Sequence, residues 1–216
     1  MQNAVAVGLA TEGLNEGDLF AGVLELLAAN SIHSGRARIT LYDGRSSAIW
    51  PAAVDRELIV SIITGNRQIR DEPFRVALST YSVNSRSPLA GVKSCNYLDN
   101  ILAIGAANKF GFNEAIRLNE RGQITSGCMS NVFWQRSDKW YTPSLSTGCL
   151  TGTTREHVLE NIECEEVEAE AGELDRADAI FMTSAGIGIC EVAEFNGRTI
   201  STSDVPGDLW PAELGL

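Results

Sequence analysis

Apolar and polar positions in the first third of the chain follow two different periods. Residues 16–30, EGDLFAGVLELLAAN, carry apolar side chains along one helical stripe, which predicts an amphipathic helix. Residues 35–44, GRARITLYDG, alternate and end in a turn signal, which predicts a strand. ELIVSIITGN at 57–66 and PFRVALSTYSV at 73–83 are alternating or rich in β-branched residues and predict two more strands. The first portion is therefore predicted to be a short α+β unit.

A turn-rich segment follows this unit. It reads NSRSPLAG at residues 84–91 and is predicted to be a linker. We therefore divide the chain into a partial small α+β domain at 1–86 and a larger domain at 87–216. Beyond the linker, residues 96–111, NYLDNILAIGAANKFG, have apolar or small side chains at helical spacing, and Gly111 is predicted to end this helix as its C-terminal cap.

Short apolar runs separated by polar turns fill the middle of the larger domain. They predict four strands with the sequences EAIRLN, QITSG, SNVFWQR and KWYTP. A helix is predicted to begin near Thr153, where small hydroxyl residues give way to an amphipathic pattern. The segment ADAIFMTSAGIGICEVAEFNGRTI is predicted to form two strands around a glycine-rich corner. The whole pattern is that of an α+β protein.

Composition and charge narrow the classes of partner. The 216 residues include 17 Lys and Arg against 28 Asp and Glu, a net charge of −11, which argues against nucleic acid as a partner. No apolar run is long enough to cross a bilayer and the N-terminus lacks the basic start of a signal peptide, so we expect no membrane association. Five cysteines without a CxxC pair, and two histidines, favour reduced thiols in the cytoplasm over disulfides or a metal site.

Three clusters of small polar residues could present hydrogen-bond donors to a ligand. Residues 152–154, GTT, stand at the predicted helix start, where free amides and the helix dipole attract anions, although plain N-capping is the simpler interpretation of this segment alone. The other two are SGCMSN at 126–131 and MTSAGIGI at 182–189, and each also fits a tight turn. Neither GK[ST] nor GxGxxG occurs in these clusters, so we exclude nucleotide binding.

Lys93 lies in the stretch GVKSCNYLDN, directly after the turn-rich segment. It is either a solvated lysine at a helix start or an amine that takes part in chemistry. A lysine combined with a phosphate-binding helix start is what pyridoxal phosphate requires, because its aldehyde forms an imine with an amine and its phosphate is stabilised by a helix N-terminus. Spacing alone leaves both interpretations open.

The sequence from about Ser87 to Glu160, and more loosely to Val192, resembles the class IV aminotransferases, which are the fold-type IV pyridoxal-phosphate enzymes. The resemblance rests on an ordered series of motifs, KSCNYL, SNVFW, WYTP and GTTR. It implies a two-domain α+β fold like that of D-amino-acid aminotransferase, pyridoxal 5'-phosphate as cofactor and a homodimer. Within the family, TSAGIGICEV and NVFWQRSDKWYTPSL are most similar to the lyase branch, which includes aminodeoxychorismate lyase.

The resemblance also implies roles for individual residues. Lys93 falls on the Schiff-base lysine, which moves the substrate's proton and is the expected catalytic residue, and Tyr97 falls on a residue beside the cofactor. The phosphate-binding turn falls on Gly152, Thr153 and Thr154. The remaining expected cofactor contacts are Ser126, Ser130, Asn131, Ser184 and Ala185.

Two features depart from the family pattern. Where the family has a Glu that pairs with the pyridinium nitrogen, this chain has Ser126, which brings no negative charge and leaves the ring nitrogen less basic. A less basic ring is a weaker electron sink. No stretch of this chain matches the first part of the family's small domain, which includes an arginine that grips the phosphate. We therefore expect the front of the small domain to be missing, with residues 1–86 resembling its back half.

These observations leave three functions open. We expect an aminodeoxychorismate lyase-like activity, in which pyruvate is eliminated from a small amino substrate to give 4-aminobenzoate for folate biosynthesis. The first alternative is an aminotransferase acting on branched-chain or D-amino acids. The second is a degenerate, non-catalytic homologue, which Ser126 and the short front of the chain would favour.

Overall fold

The computed structural model describes residues 2–44, 57–66 and 73–201. The described residues up to 66 form one compact unit, and those from 73 to 201 form a second. The sequence places the domain boundary between 86 and 87 instead. The segment from 73 to 86 belongs with the second unit because one of its strands pairs within a sheet of that unit.

The first unit contains two helices and a two-stranded sheet. Its elements are α1 (Gln2–Ala6), α2 (Glu16–Ala29), β1 (Gly35–Asp43) and β2 (Leu58–Asn66). The two strands pair antiparallel over their full lengths, with Gly35 opposite Asn66. Helix α2 begins where the sequence predicts, because the Asn15 side chain accepts a hydrogen bond from the Gly17 amide at 2.8 Å and caps the first turn.

The second unit is built from two five-stranded sheets and three helices. Its elements in chain order are β3 (Arg75–Leu78), α3 (Leu98–Asn108), β4 (Glu114–Leu118), β5 (Ile124–Gly127), β6 (Asn131–Arg136), β7 (Lys139–Pro143), α4 (Thr153–Asn161), β8 (Cys164–Val167), α5 (Gly172–Asp175), β9 (Ala179–Ser184), β10 (Gly188–Glu191), β11 (Glu194–Phe195) and β12 (Arg198–Thr199). One sheet has the order β10-β9-β6-β7-β8, and the other has the order β12-β11-β3-β4-β5. The pairs β3–β4, β3–β11 and β7–β8 are parallel, and the remaining neighbours are antiparallel.

Three apolar clusters hold this unit together. The largest lies between the sheets and includes Ile116 and Met182, both fully buried. A second lies beneath α4, where the rings of Phe133 and Phe181 stack with centroids 4.7 Å apart. The buried members of the third are small side chains from α3, from β4 and from the turn after β5: Ala103, Ala107, Ala115 and Cys128. Small side chains let a helix approach a sheet closely. Helix α3 is thereby held against β4, so residues at its start have a fixed position over the sheet.

The α+β class and most elements predicted from the pattern are confirmed. The final segment differs, because it forms four strands, β9 to β12, rather than two. Strand β8 was not predicted, since its sequence CEEV has too little apolar alternation to signal a strand. None of the helices in the described ranges is both long enough and apolar enough to span a membrane.

Candidate active site

Lys93 and Tyr97 lie together in the turn that leads into α3. The Lys93 Nζ atom donates a hydrogen bond to the Tyr97 hydroxyl at 2.8 Å, and the same nitrogen lies 5.5 Å from the centre of the Tyr97 ring. Tyr97 is the N-cap residue of α3, and its side chain makes no capping hydrogen bond, so its hydroxyl is directed to the lysine rather than to the helix. Lys93 is exposed.

The start of α4 has the features of an anion site. Its N-cap is Gly152, which has no side chain to satisfy the first amides of the helix. A Cβ atom added at Gly152 would overlap the Asn131 side-chain oxygen, so only glycine allows this close approach. Asn131 is itself fixed, because its Nδ2 atom donates to the Leu150 carbonyl at 2.9 Å. Of the two threonines that follow, Thr153 is exposed and Thr154 is buried.

The lysine turn and the α4 start adjoin one another through the loop before α4. Gly91, two residues before Lys93, has a positive φ of 73° and packs so that an added Cβ would lie 3.7 Å from the Cys149 carbonyl oxygen. Leu150, the next residue, is the one whose carbonyl holds Asn131. The amine and the free helix amides are therefore contributed by two loops that pack against each other.

A buried hydroxyl without a partner lies beside this site. The Oγ1 atom of Thr183 has no hydrogen bond to any residue that the structure describes, although the side chain is fully buried. Thr183 pairs with Asn131 across strands β9 and β6, so the two side chains lie on the same face of the sheet. An unpaired buried hydroxyl is costly, and a bound ligand oxygen would satisfy it. With the glycine cradle at Gly152, this orphaned hydroxyl fits a phosphate-bearing cofactor held at α4.

Glu114, which the sequence analysis did not single out, organises the turn between β5 and β6. The carboxylate is buried, with the residue only 3% exposed. One oxygen accepts from the amides of Ala115 and Cys128, each at 2.9 Å, and the other accepts from the Met129 amide and the Ser130 hydroxyl, each at 3.0 Å. These four donors satisfy the charge and fix the turn that leads into Asn131.

Arg117 and Ser126 form a cross-strand pair on the neighbouring part of the sheet. They are directly opposite each other in the β4–β5 ladder, and a register irregularity follows Arg117 immediately. The Arg117 Nη1 atom donates to the Asn100 side-chain oxygen at 3.0 Å. Asn100 lies in the first turn of α3, three residues after Tyr97, so this pair connects to the lysine turn.

The other predicted site residues have local partners. The Ser130 hydroxyl donates its hydrogen bond to the Glu114 carboxylate. The Ser184 hydroxyl accepts a hydrogen bond from the Ile187 amide at 3.3 Å within the corner before β10. Ala185 is exposed in that same corner. Lys93 and Tyr97 therefore contact each other, Gly91 before them packs against the loop before α4, and Ser184 contacts its own turn.

Arg155, in the first turn of α4, is directed away from the helix start. Its Nη2 atom donates to the Pro143 carbonyl at 2.9 Å and to the Glu166 carboxylate at 2.6 Å. The Arg155 side chain is 3% exposed and that of Glu166 is 45% exposed. This ion pair ties α4 to strands β7 and β8, so Arg155 stabilises the position of the helix rather than facing the free amides.

Burial keeps the thiols near the site protonated. It raises the pKa of Cys128 to about 12, and the nearby Glu114 carboxylate adds to the effect. It also raises the pKa of Cys149. These thiols are therefore neutral packing groups near the site rather than nucleophiles. Within the described ranges, no three His, Cys, Asp or Glu side chains are grouped to hold a metal ion.

Three residues of this region were not predicted from the sequence: Asn100, Glu114 and Arg117. The strand EAIRL carried a usable signal, since two charged residues interrupt a run that is otherwise apolar and buried. The role of Asn100 depends on its contact with Arg117 on another element, and the local pattern carries no signal for it.

Comparison with known proteins identifies the family. The model of the family "Amino-transferase class IV" matches residues 9–195. Aminodeoxychorismate lyase of Bacillus subtilis is 31% identical over 173 residues, which are 74% of this chain and 58% of that protein. D-alanine aminotransferase of Bacillus licheniformis is 33% identical over 123 residues, 55% of this chain and 43% of that protein.

Among solved structures, branched-chain aminotransferase from Thermoproteus uzoniensis matches with a TM-score of 0.84 and 26% identity, over 93% of this chain and 70% of that one. The matched part of this chain spans about half the length of the Bacillus subtilis lyase and of the Bacillus licheniformis aminotransferase. Because the family match covers most of the sequence and the fold agrees with a solved member, the chain belongs to the class IV amino-transferase family.

Proposed function

We propose that this protein is a pyridoxal-phosphate-dependent enzyme with Lys93 as the residue that holds the cofactor. The observation that carries the proposal is the Lys93 amine, hydrogen-bonded to Tyr97 at 2.8 Å, in a loop that packs against the loop before the free amides of α4. An amine and an anion site are the two groups that this cofactor needs from a protein. The family to which the chain belongs supports the same cofactor.

Each residue of the site has a defined task in this proposal. The amides of Thr153 and Thr154 and the α4 dipole would hold the phosphate, and the phosphate would offer an acceptor to the unpartnered hydroxyl of Thr183. Lys93 Nζ takes the proton from the amine-bearing carbon of the substrate, and Tyr97 orients that nitrogen. When bound, pyridoxal phosphate supplies the electron sink that stabilises negative charge on that carbon.

Within the family, we favour a lyase of the aminodeoxychorismate type, which eliminates pyruvate and forms 4-aminobenzoate. The amine-bearing ring carbon loses its proton to Lys93, its electron pair forms a ring double bond, and the carbon–oxygen bond to the pyruvyl group breaks. The departing oxygen keeps the electron pair of the broken carbon–oxygen bond, and protonation of the resulting enolate on carbon yields pyruvate. The similarity to the Bacillus subtilis lyase supports this choice, and so does Ser126, which supplies no charge to strengthen the ring as an electron sink.

An aminotransferase acting on branched-chain or D-amino acids is the second candidate. It is favoured by the similarity to D-alanine aminotransferase of Bacillus licheniformis and by the fold shared with the branched-chain enzyme of Thermoproteus uzoniensis. A transaminase must return the proton to a different carbon, so it depends on the ring as an electron sink more than an elimination does.

The first experiment tests the cofactor. The protein is incubated with pyridoxal phosphate, reduced with borohydride and digested, and the modified peptide is identified by mass spectrometry. The chain has three lysines, Lys93, Lys109 and Lys139, so the other two serve as internal controls. We expect the phosphopyridoxyl group on Lys93 alone, and its loss in Lys93→Arg. A folded protein without an adduct at Lys93 would refute the enzyme proposal and favour a non-catalytic homologue.

The second experiment separates the two reactions. The loaded protein is given 4-amino-4-deoxychorismate, and 4-aminobenzoate is followed by its fluorescence. In parallel, it is given branched-chain L-amino acids or D-alanine with 2-oxoglutarate, and glutamate is measured. The lyase proposal requires 4-aminobenzoate in the wild type and none in Lys93→Arg. If glutamate forms and 4-aminobenzoate does not, the lyase proposal is wrong and the protein is an aminotransferase.

The cellular setting is part of the proposal. We propose a cytoplasmic homodimer that contributes to folate biosynthesis by supplying 4-aminobenzoate. All five cysteines are unpaired, as is usual for a reducing compartment. In the first unit, Phe20 of α2 is 53% exposed and Leu24 is 41% exposed, an apolar face of the kind that subunit contacts cover. Sedimentation of the purified protein tests the dimer.

A further inference from the structure

Arg117 is a buried cation on the face of the sheet that carries α3. Side chains alternate along a strand, and Ala115 of β4 packs against Ala103 and Ala107 of α3, whereas Ile116 lies in the core between the sheets. Arg117 therefore shares the α3 face with Ala115. Its partner Ser126 lies on that face as well, because the two residues are directly opposite in the ladder.

The hydrogen bonds of Arg117 leave its charge without a counterion. The guanidinium donates to the Tyr81 carbonyl at 3.1 Å, to the Asn100 side-chain oxygen at 3.0 Å and to the Ser82 carbonyl at 2.7 Å. All three acceptors are neutral, and no carboxylate in the described part of the chain forms an ion pair with it. The residue is only 5% exposed, so solvent screens this charge weakly.

The groups around Arg117 do not neutralise it. The carboxylates on the elements around Arg117, which are β3, β4, β5, α3 and the turns at 79–97, are those of Asp99 and Glu114. The other titratable or charged side chains there and in the turn after β5 are those of Arg75, Tyr81, Arg86, Lys93, Cys95, Tyr97 and Cys128. Asp99 is exposed at the start of α3, and Glu114, three residues before Arg117 on the same strand, points to the opposite face, where four donors hold it. The Cys128 thiol is neutral because burial raises its pKa to about 12. The α3 face of β4 and β5 therefore carries a positive potential.

The ring nitrogen of pyridoxal phosphate is the group whose protonation this positive potential would affect. Its aldehyde carbon and its ring nitrogen are at opposite ends of the pyridine ring, and the phosphate arm is beside the aldehyde. If Lys93 and α4 hold the aldehyde and the phosphate, the nitrogen is the end directed away from both. On the α3 face, Arg117 reaches the lysine turn through Asn100, and Ser126 is the hydroxyl beside it. A hydroxyl can donate to an unprotonated ring nitrogen, and a cation disfavours its protonation.

We propose that Arg117 and Ser126 form the environment of the cofactor's ring nitrogen and hold that nitrogen unprotonated. The inference rests on the proposed binding of pyridoxal phosphate at Lys93. Ser126 donates its hydroxyl proton to the nitrogen, and Arg117 acts from behind it as a positioning residue that supplies positive charge. A neutral ring withdraws electrons less strongly, so the site favours a reaction in which the electron pair leaves with a departing group. This selects elimination over transamination.

The test uses the full chain loaded with pyridoxal phosphate that carries ¹⁵N in the ring. The nitrogen resonance is followed against pH, and its midpoint reports ring protonation. In the wild type, we expect the unprotonated signal throughout the neutral range. Arg117→Met removes the charge and should raise the midpoint by about one to three pH units. Arg117→Lys keeps the charge and should leave the midpoint near that of the wild type. Arg136→Met, which removes a cation elsewhere on the sheets, serves as the control.

A second variant keeps the test decisive if Arg117→Met does not fold. Ser126→Glu changes a half-buried side chain and should raise the midpoint, because a carboxylate stabilises the protonated ring. Borohydride mapping precedes each titration. An adduct on Lys93 with a protonated wild-type ring, or with a midpoint that neither Arg117→Met nor Ser126→Glu moves, overturns this inference and leaves the proposed cofactor intact. No adduct on Lys93 overturns the proposed function and the inference with it.

Discussion

The Glu114→Gln substitution tests how far one buried carboxylate holds the turn before β6. Glutamine has the same shape, and its oxygen can keep the Ala115 and Cys128 amides. Its NH₂ group then faces the Met129 amide, which loses its acceptor, while the Ser130 hydroxyl can rotate to accept. One unsatisfied buried donor, together with the loss of charge assistance in the other bonds, should lower the free energy of unfolding by about 2–4 kcal/mol.

Urea unfolding followed by tryptophan fluorescence measures the free energy of unfolding of the wild type, of Glu114→Gln and of a control variant. Glu191→Gln removes an exposed carboxylate on β10 and should change the free energy of unfolding by no more than about 0.5 kcal/mol. The urea dependence should be the same for both variants, because neither changes the surface exposed on unfolding. If Glu114→Gln were as mild as the control, the four hydrogen bonds would not stabilise the turn, and the structural role assigned to Glu114 would be wrong.

Three further predictions concern cofactor affinity, thiol reactivity and pH. Gly152→Ala places a methyl group against the Asn131 oxygen, so the Kd for pyridoxal phosphate, measured by fluorescence titration, should rise about tenfold or more, a loss of about 1.4 kcal/mol. In native protein at mildly alkaline pH, Ellman's reagent should label the exposed Cys95 and leave Cys128 unlabelled, because its pKa is about 12. Hydrogen bonds from Arg136 and a second arginine lower the pKa of Glu173, so Glu173→Gln should destabilise the protein at neutral pH by at most about 1 kcal/mol. That difference should vanish as the pH falls below about 4, the usual range of a Glu pKa in an unfolded chain, and through the lower folded-state pKa.

Each of these predictions has a clear contrary result. Gly105→Ala in α3, where an added Cβ has open space, should leave cofactor affinity unchanged, and an equal loss there would remove the steric argument for Gly152. Rapid labelling of Cys128 before unfolding would contradict its burial. A Glu173→Gln effect that grows as the pH falls would have the wrong sign, because a lowered pKa stabilises the folded state only while the carboxylate is ionised.

The sequence pattern predicted the regular elements well because each carries its own period. Helix α3 ends at Asn108 with Lys109 as its C-cap, so the prediction that Gly111 is the cap is wrong by two residues, although Gly111 does adopt the left-handed conformation with a φ of 79°. The four central strands follow their alternating runs. The four-strand ending was missed because β11 and β12 have two residues each, too short for any period to register, and they are held by pairing with each other and with the distant β3.

For the candidate site, the sequence likewise predicted features marked by local pattern and missed contacts between distant strands. Lys93 and the α4 start were predictable, since a helix start and a resemblance to known motifs both mark them. The donor clusters that contain Asn131 and Thr183 were predicted, but the pairing of these two residues was not predictable from local pattern, because β6 and β9 are separated by more than forty residues of sequence. The Ser130 hydroxyl was expected at the cofactor, and its observed partner, Glu114, comes from another strand.

Strand β4 separates two opposite charges that the sequence places three residues apart. Glu114 and Arg117 lie on opposite faces, so they do not pair with each other. The carboxylate is saturated by four donors and stiffens the turn into β6, while the guanidinium has only neutral acceptors on the α3 face. A one-residue shift in the register of β4 would exchange these faces, so that the Arg117 guanidinium would face the core and the Glu114 carboxylate would face α3. The alternation of a single five-residue strand therefore directs the carboxylate to the turn before β6 and the guanidinium to the α3 face.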